Sequence, residues 1–279
     1  MKGGSGHRSL VAAVAVLAGY VRLLQCILAL MLATAPTAGG KQQTSMYMGR
    51  QIANVFTNRE WLLRGGRERE EDPNRLVLQL AKMGALAPNA TVADLGCGPC
   101  FLSWRFAVAV GRAGLVLALD TDPRTVAECA DAARQHSIPP GVLQSVTPPA
   151  AALMAGEAPG PGQLGLGLQH TGALDSVLLV DTYHELQSPY ETVRAALTTL
   201  KHGGLLVVVE YKSTALHILP THRMAEQQLL RELNVFRADA LSLRECDHKT
   251  LKHQYVCVFE RGSADVSATL VARDLSSDL

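Results

Sequence analysis

Between Asp72 and Phe259, short apolar runs alternate with segments whose apolar positions recur at helical spacing. That alternation predicts βαβ units and a parallel sheet. Asp72-Pro73 opens the first helix with an acid at the N-cap and proline in the first turn, and Leu76, Leu78, Leu80 and Met83 lie within it. Pro88-Asn89 turns the chain into a strand over 91–95, followed by a helix over roughly 101–110 and a second strand over 115–119 that ends on Asp120. A helix over roughly 123–135 leads to a short strand over 142–146. Residues 148–171, rich in Pro, Gly and Ala, read as a flexible loop longer than ordinary connections. A strand over 174–180 ending at Asp181, a helix over roughly 189–200, and a strand over 205–211 with the apolar run of a central position complete the parallel part. A helix near 224–233 and strands over 238–243 and 255–259 predict a terminal antiparallel hairpin, and residues 262–279 read as a loose tail.

The N-terminus differs in kind. From Met1 to Arg59 there is no Asp or Glu, and residues 10–35 are almost wholly apolar, broken by Arg22 and Gln25. Lys2 and Arg8 before that run, with Ala33-Thr34-Ala35 after it, are consistent with a signal peptide or a membrane anchor; an organelle transit peptide has the same acid-free composition. Residues 1–40 are therefore expected to be a leader that brings the chain to a membrane, the secretory pathway or an organelle, with residues 41–71 a helical lead-in to a domain over 72–261. Net charge is +1 for the whole chain, and without residues 1–40 it is −2, from 23 basic and 25 acidic residues. A near-neutral body argues against a nucleic-acid partner held by a large basic surface. The alternating charges between Arg64 and Arg75 read as a solvated helical face.

Six cysteines are present, Cys26 in the leader and Cys97, Cys100, Cys129, Cys246 and Cys257 in the body. Apart from Cys97/Cys100 their spacing suggests neither a zinc site nor a disulfide framework, and no metal is expected.

Candidate chemistry gathers where the first strand runs into Asp94-Leu95-Gly96-Cys97-Gly98-Pro99-Cys100. Open α/β sheets bind ligands at the carboxyl ends of their strands. Gly96 and Gly98 let the backbone turn tightly and lie close to a ligand, and the helix that follows offers free N–H groups to a polar or anionic group. Asp120, 22 residues after Gly98 and at the end of the next strand, is placed to accept hydrogen bonds from a ribose diol. The bland readings of these residues are a tight turn for the glycines and an N-cap for Asp120.

At this point the sequence resembles the class I S-adenosylmethionine-dependent methyltransferases. The residues that carry the resemblance are Val92 to Pro99, Ala118 to Pro123, Leu174 to Asp181 with Tyr183-His184-Glu185, and Leu200 to Leu205. It implies a Rossmann-like, doubly wound, mostly parallel sheet in a three-layer αβα sandwich. S-adenosyl-L-methionine would be the methyl donor, and a small molecule the acceptor. Asp94, Gly96, Cys97 and Gly98 would hold the methionine part, Asp120 the ribose, and Thr121 would lie beside the adenine. Asp181 would face the methyl group, with Tyr183 and His184 on the same loop as catalytic candidates. Two positions depart from the family pattern. Cys100 stands where the third glycine of the turn is usual, and Thr147-Pro148 where an acid contacts the adenine. A catalytically silent binding module is the first alternative. The second is a thiol–disulfide enzyme, because Cys97-Gly98-Pro99-Cys100 repeats the thioredoxin active-site sequence, in which a helix N-terminus lowers the pKa of the first thiol.

Overall fold

The computed structural model describes residues 45–146 and 172–262. The predicted leader, the Pro/Gly/Ala-rich loop with Thr147-Pro148, and the tail from 263 onward lie outside the described residues. Among the described residues no helix is long and apolar enough to cross a membrane.

The described chain begins with a hairpin, β1 (Met46–Tyr47) and β2 (Arg50–Gln51). Met48 and Gly49 both have positive φ, 45° and 89°, as a two-residue hairpin turn with the right twist requires. Short helices α1 (Arg59–Leu62) and α2 (Arg67–Glu71) follow, so the lead-in is only partly helical, with an irregular stretch between hairpin and helices. Helix α3 (Pro73–Lys82) starts as predicted, with Asp72 accepting from the Arg75 N–H and Pro73 in the first turn.

Four of the central strands fall within a residue of where the apolar runs placed them, β3 (Thr91–Leu95), β4 (Leu115–Leu119), β5 (Leu143–Val146) and β6 (Leu174–Val180), while β7 (Leu200–Tyr211) starts five residues before the predicted strand and takes in Gly203-Gly204. Helices α4 (Ser103–Val110), α5 (Thr125–Gln135), α6 (Pro189–Thr199) and α7 (Glu226–Leu233) alternate with them. The last two strands are β8 (Leu241–Asp247) and β9 (Gln254–Arg261), in a seven-stranded sheet of order β5-β4-β3-β6-β7-β9-β8. β5 through β7 are parallel, while β9 is antiparallel to both β7 and β8. The order reverses between β3 and β6, which sets the ligand-binding crevice at their carboxyl ends.

The hairpin is the least accurate of the predicted elements. Its first strand starts three residues later than predicted because Asn234–Asp239 continue α7 as a 3-10 turn. β8 is an edge strand with Ser242, Leu243, Arg244 and Glu245 exposed. Its polar, charged face suits a strand that must not pair further, and it blurs the alternation that would announce it.

Side chains alternate across the sheet and fill two cores. Val92, Val116, Leu178 and Val207 pack beneath α3 and α4 with Leu76, Leu80 and Phe106. Ala93, Leu117, Val177 and Leu206 pack on the other side with Val193, Leu229, Leu233 and Phe236 from α6, α7 and the 3-10 turn. Each fully buried leucine contributes about 2 kcal/mol of transfer free energy. The result is the expected three-layer αβα sandwich with an antiparallel carboxyl-terminal hairpin.

The body also contains two disulfides that the cysteine spacing did not announce. Cys100 is bonded to Cys129 and Cys246 to Cys257, with Cα–Cα separations of 5.1 Å and 4.1 Å. The first joins the turn after β3 to α5, and the second crosses the β8–β9 ladder, where Cys246 and Cys257 are register partners.

Candidate functional site

The turn after β3 is held almost entirely by backbone. The N–H groups of Gly96 and Cys97 both donate to the Leu119 carbonyl, at 2.8 and 3.1 Å, and so tie the turn to the end of β4. The Gly98 N–H donates to Asp120 Oδ2 at 2.7 Å, while the Asp122 N–H donates to Oδ1 at 2.9 Å. Asp120 thus braces the loop as well as facing the crevice. Each carboxylate oxygen keeps a further lone pair for an outside donor. Burial raises the Asp120 carboxyl above its ordinary range, against the two backbone N–H groups that hold it down. Thr121, partly exposed, follows at the rim.

The two glycines are needed for different reasons. Gly96 has φ +78°, and a Cβ there would stand 2.4 Å from Thr182 Cγ2, so the turn after β3 and the loop after β6 touch without room for a side chain. At Gly98, φ +55°, a Cβ would meet Leu62 Cδ1 at 3.8 Å, an ordinary contact, so the left-handed backbone rather than crowding is what favours glycine. Cys100 has φ +57°, the left-handed conformation a third glycine would adopt. Its side chain is fully buried with Ala118 and Cys129, so the departure from the glycine pattern is absorbed by the interior. Asp94 is buried and accepts from Ser103 Oγ at 2.6 Å; burial pushes its carboxyl up to about 6, against that hydrogen bond. Helix α4 starts without a side-chain cap, leaving N–H groups at its first turn for a polar ligand.

The thiol–disulfide reading fails here. Cys100 is bonded to Cys129, leaving Cys97 as the free cysteine among the described residues. Burial, aided by the carboxylates of Asp94 and Asp120, drives the Cys97 thiol well above its ordinary pKa, the opposite of an activated nucleophile.

The second half of the site follows β6. Asp181 has φ +50° and donates its N–H to the Val209 carbonyl at 2.9 Å. Its Oδ2 accepts from Gln254 Nε2 at 2.7 Å, and its Oδ1 is buried with no hydrogen-bond partner among the described residues. Burial, then the charges of Glu71 and Glu210, push this carboxyl well above its ordinary range. His184 is buried beside it in sequence. Its backbone N–H donates to Glu210 Oε1 at 3.0 Å, and its Nδ1 lies 2.6 Å from Glu210 Oε2. With Glu210 Oε2 as the acceptor, the neutral ring carries its proton on Nδ1 and its lone pair on Nε2. Burial disfavours the imidazolium, but the Glu210 charge and hydrogen bond outweigh it, and the His184 pKa is raised.

Tyr183 is not brought to the same place. Its ring is fully buried in the core beside α7, with the Arg50 guanidinium 5.5 Å from its centroid, while His184 points to Glu210. Successive residues of a tight turn face different ways, and the apolar layer took the tyrosine.

Several side chains of the site were not singled out in the sequence. The run Arg64–Arg75 is not simply a solvated face. Arg67 and Glu71 are buried, with Arg67 Nε 2.7 Å from Glu71 Oε1 and the Tyr211 hydroxyl donating to the same oxygen at 2.9 Å. Arg59 reaches down from α1 to Thr125 Oγ1 at 3.1 Å and to Glu128. Phe56 donates its N–H to Glu185 Oε1 at 3.0 Å, and Ala53 donates to the His184 carbonyl at 3.0 Å. Residues 50–71 therefore form a strap over the carboxyl edge of the sheet. Glu210 did leave a signal, an acid inside the apolar run of β7; His222-Arg223-Met224, from a 3-10 turn and the residues after it, stood out with Met48–Glu71 as a resemblance to a subgroup of methyltransferase-domain proteins, but with no role for His222.

No family model matches the chain, and no curated protein matches it in sequence. Solved structures do match in shape. A S-adenosylmethionine-dependent methyltransferase from Aquifex aeolicus is 16% identical and aligns over 73% of this chain and 96% of its own, with a TM-score of 0.58. The chain shares the Rossmann-like fold of that methyltransferase. Magnesium protoporphyrin IX methyltransferase from Synechocystis PCC 6803, solved with bound S-adenosylhomocysteine, is also 16% identical, with 76% and 91% covered and a TM-score of 0.49.

Proposed function

We propose that this chain is a S-adenosylmethionine-dependent methyltransferase acting on a small-molecule acceptor. The observation that carries the reading is the turn at Gly96–Gly98, braced by Asp120 at the carboxyl ends of two adjoining parallel strands. The residues fit the donor. Asp120 has lone pairs to spare for a vicinal diol, and Asp94 with the uncapped start of α4 offers an acid and N–H groups to an amino-acid end. Asp181 Oδ1, buried without a partner among the described residues, calls for a donor or a cation. When bound, the sulfonium supplies an electrophilic methyl group, so transfer depends mainly on holding the acceptor in line. Asp181 and His184 would then receive the proton of a hydroxyl or amine acceptor, help of a kind typically worth about 10²–10⁴-fold. A cation bound beside Asp181 would draw its carboxyl back toward the ionised form that a base requires.

The two disulfides suit an oxidising compartment, and with the expected leader we take the working place of the chain to be a membrane-associated or secretory one.

Titration calorimetry with S-adenosylhomocysteine tests the reading. The wild-type chain should bind it, and Asp120→Ala should lose at least about 100-fold in affinity. Asp120→Asn, which keeps an oxygen acceptor for the Gly98 N–H, separates loop damage from lost diol recognition; it should retain the fold and still bind poorly. Wild-type affinity in both variants, or no heat with the wild-type chain at all, would sink the assignment and favour a silent binding module.

A further inference from the structure

Three nitrogen and oxygen donors meet beside Asp181 with no role assigned to them together. His184 Nε2 lies 3.8 Å from Glu185 Oε1, and His222 Nε2 lies 3.4 Å from the same oxygen. The three atoms are all within 4.8 Å of one another. Both histidine Nε2 atoms are buried and lack a hydrogen-bond partner among the described residues. A buried polar atom left unmet costs about 1–3 kcal/mol, so two such nitrogens facing one carboxylate are an expensive arrangement unless something fills the space between them. We propose that His184, Glu185 and His222 form the binding site of one divalent first-row transition ion, zinc being the reference case.

The chemistry of the donors fits. Two imidazoles and one carboxylate are the ligand set of open, three-coordinate zinc and iron(II) sites, in which the remaining positions take water or substrate. Ligands about 2.1 Å from a tetrahedral ion stand about 3.4 Å from one another. The two separations to Glu185 Oε1, 3.8 and 3.4 Å, are already close to that value, and the two histidine nitrogens lie within 4.8 Å of each other.

The surroundings fit as well. His184 Nδ1 is held by Glu210, a fully buried carboxylate that also takes the His184 backbone N–H, and this fixes the tautomer that presents Nε2 as a lone pair. A carboxylate behind a ligating histidine is the usual outer support of such an ion. Glu185 is braced by the Phe56 N–H, and His222 Nδ1 lies 3.2 Å from Thr221 Oγ1. The Arg50 guanidinium is engaged by Glu232 and by the Tyr183 and His184 carbonyls. The other two groups of clustered candidate ligands among the described residues each contain a disulfide, which leaves Cys97 alone in one and Glu226 alone in the other. The expectation of no metal drawn from linear spacing is what this proposal revises: adjacent residues 184 and 185 and a turn 37 residues further on have no recognisable ligand spacing.

The ion site stands on its own geometry. Its use rests on the methyltransferase reading: an open position there would take the hydroxyl or thiol of an acceptor and lower its pKa, and with His184 Nε2 committed to the ion the released proton would go to Asp181 rather than to His184.

The test uses the full chain, stripped with a chelator and titrated with Co²⁺ and then Zn²⁺. One equivalent of Co²⁺ should give visible d–d absorption that Zn²⁺ abolishes, and azide should shift the bands by entering the open position. His222→Ala and Glu185→Gln should each weaken binding at least about 100-fold, and Glu210→Gln, which acts through His184, about 10–100-fold. His248→Ala, an exposed histidine paired with Glu226, should bind as the wild type does. Thermal melts confirm that each variant is folded. Less than a tenth of an equivalent bound, or unchanged affinity in folded His222→Ala, overturns the site. Calorimetry with S-adenosylhomocysteine on the same preparations keeps the two conclusions apart, since a chain that binds the ion but not the nucleoside loses the proposed reaction and keeps the metal.

Discussion

Two regions at the carboxyl edge of the sheet solve opposite problems. In the turn after β3 every N–H from Gly96 to Gly98 is already satisfied, two by the Leu119 carbonyl and one by Asp120. In the loop after β6, Asp181 Oδ1 and His184 Nε2 are buried without partners among the described residues, as is His222 Nε2 opposite. The first region is a finished surface against which a ligand rests. The second is unfinished, and its unmet atoms are where an acceptor or an ion gains differential binding. Preorganised backbone supplies the address, and unsatisfied side chains supply the chemistry.

The largest break in that comparison should come from joining the two regions by force. Gly96→Ala places a methyl group 2.4 Å from Thr182 Cγ2 at a residue with φ +78°. Overpacking and left-handed strain together should cost about 4 kcal/mol, read as a lowered urea midpoint with an unchanged m-value. A midpoint within 0.5 kcal/mol of wild type, a rough threshold for a neutral surface change, would mean that the loop after β6 yields and the contact is not a constraint.

Asp94→Asn is expected next, with the opposite sign. Burial raises the folded-state pKa of Asp94 from 3.8 to about 6. A raised carboxylate pKa means that its stabilising share is fully present below about pH 3.8 and is lost as pH climbs through about 6. The asparagine variant escapes that loss. It should be more stable than wild type by roughly 3 kcal/mol above pH 7 and about equal below pH 4, while binding S-adenosylhomocysteine more weakly. Parallel melting curves from pH 4 to 8 check this; a pH-independent difference would show that Asp94 is not buried as a charge in the free protein.

How much could be read in advance follows from the same contrast. The turn after β3 is local, strand, glycines and acid within seven residues, and Asp120 stands at the end of the next apolar run, so pattern alone placed both. The central strands were legible within a few residues because buried parallel strands are continuous apolar runs. The second region is assembled from residues far apart in the chain. Glu210 reaches His184 because β7 is the parallel neighbour of β6, and Glu71 reaches Tyr211 across 140 residues. An Arg67–Glu71 pair four apart on a short helix looks like surface charge until the helix is docked. Tyr183 looked like its neighbour His184 and was claimed by the core. Cys100–Cys129 and Cys246–Cys257 depend on which elements adjoin, which spacing does not encode.

The smallest expected effect tests whether the strap belongs to the unfinished region or only covers it. Tyr211→Phe removes the hydroxyl that donates to Glu71 Oε1, but Arg67 Nε still bonds both Glu71 oxygens, at 2.7 and 2.8 Å. With the charge still paired, the loss should be about 1 kcal/mol, one ordinary buried hydrogen bond. Affinity for S-adenosylhomocysteine should stay within about twofold, because the turn after β3 has no part in the contact. A loss of several kcal/mol would mean that Arg67 alone does not hold Glu71, leaving an uncompensated charge against Asp181. The strap would then be an energetic member of the site, and the boundary drawn between finished and unfinished surfaces would have to move to include α2.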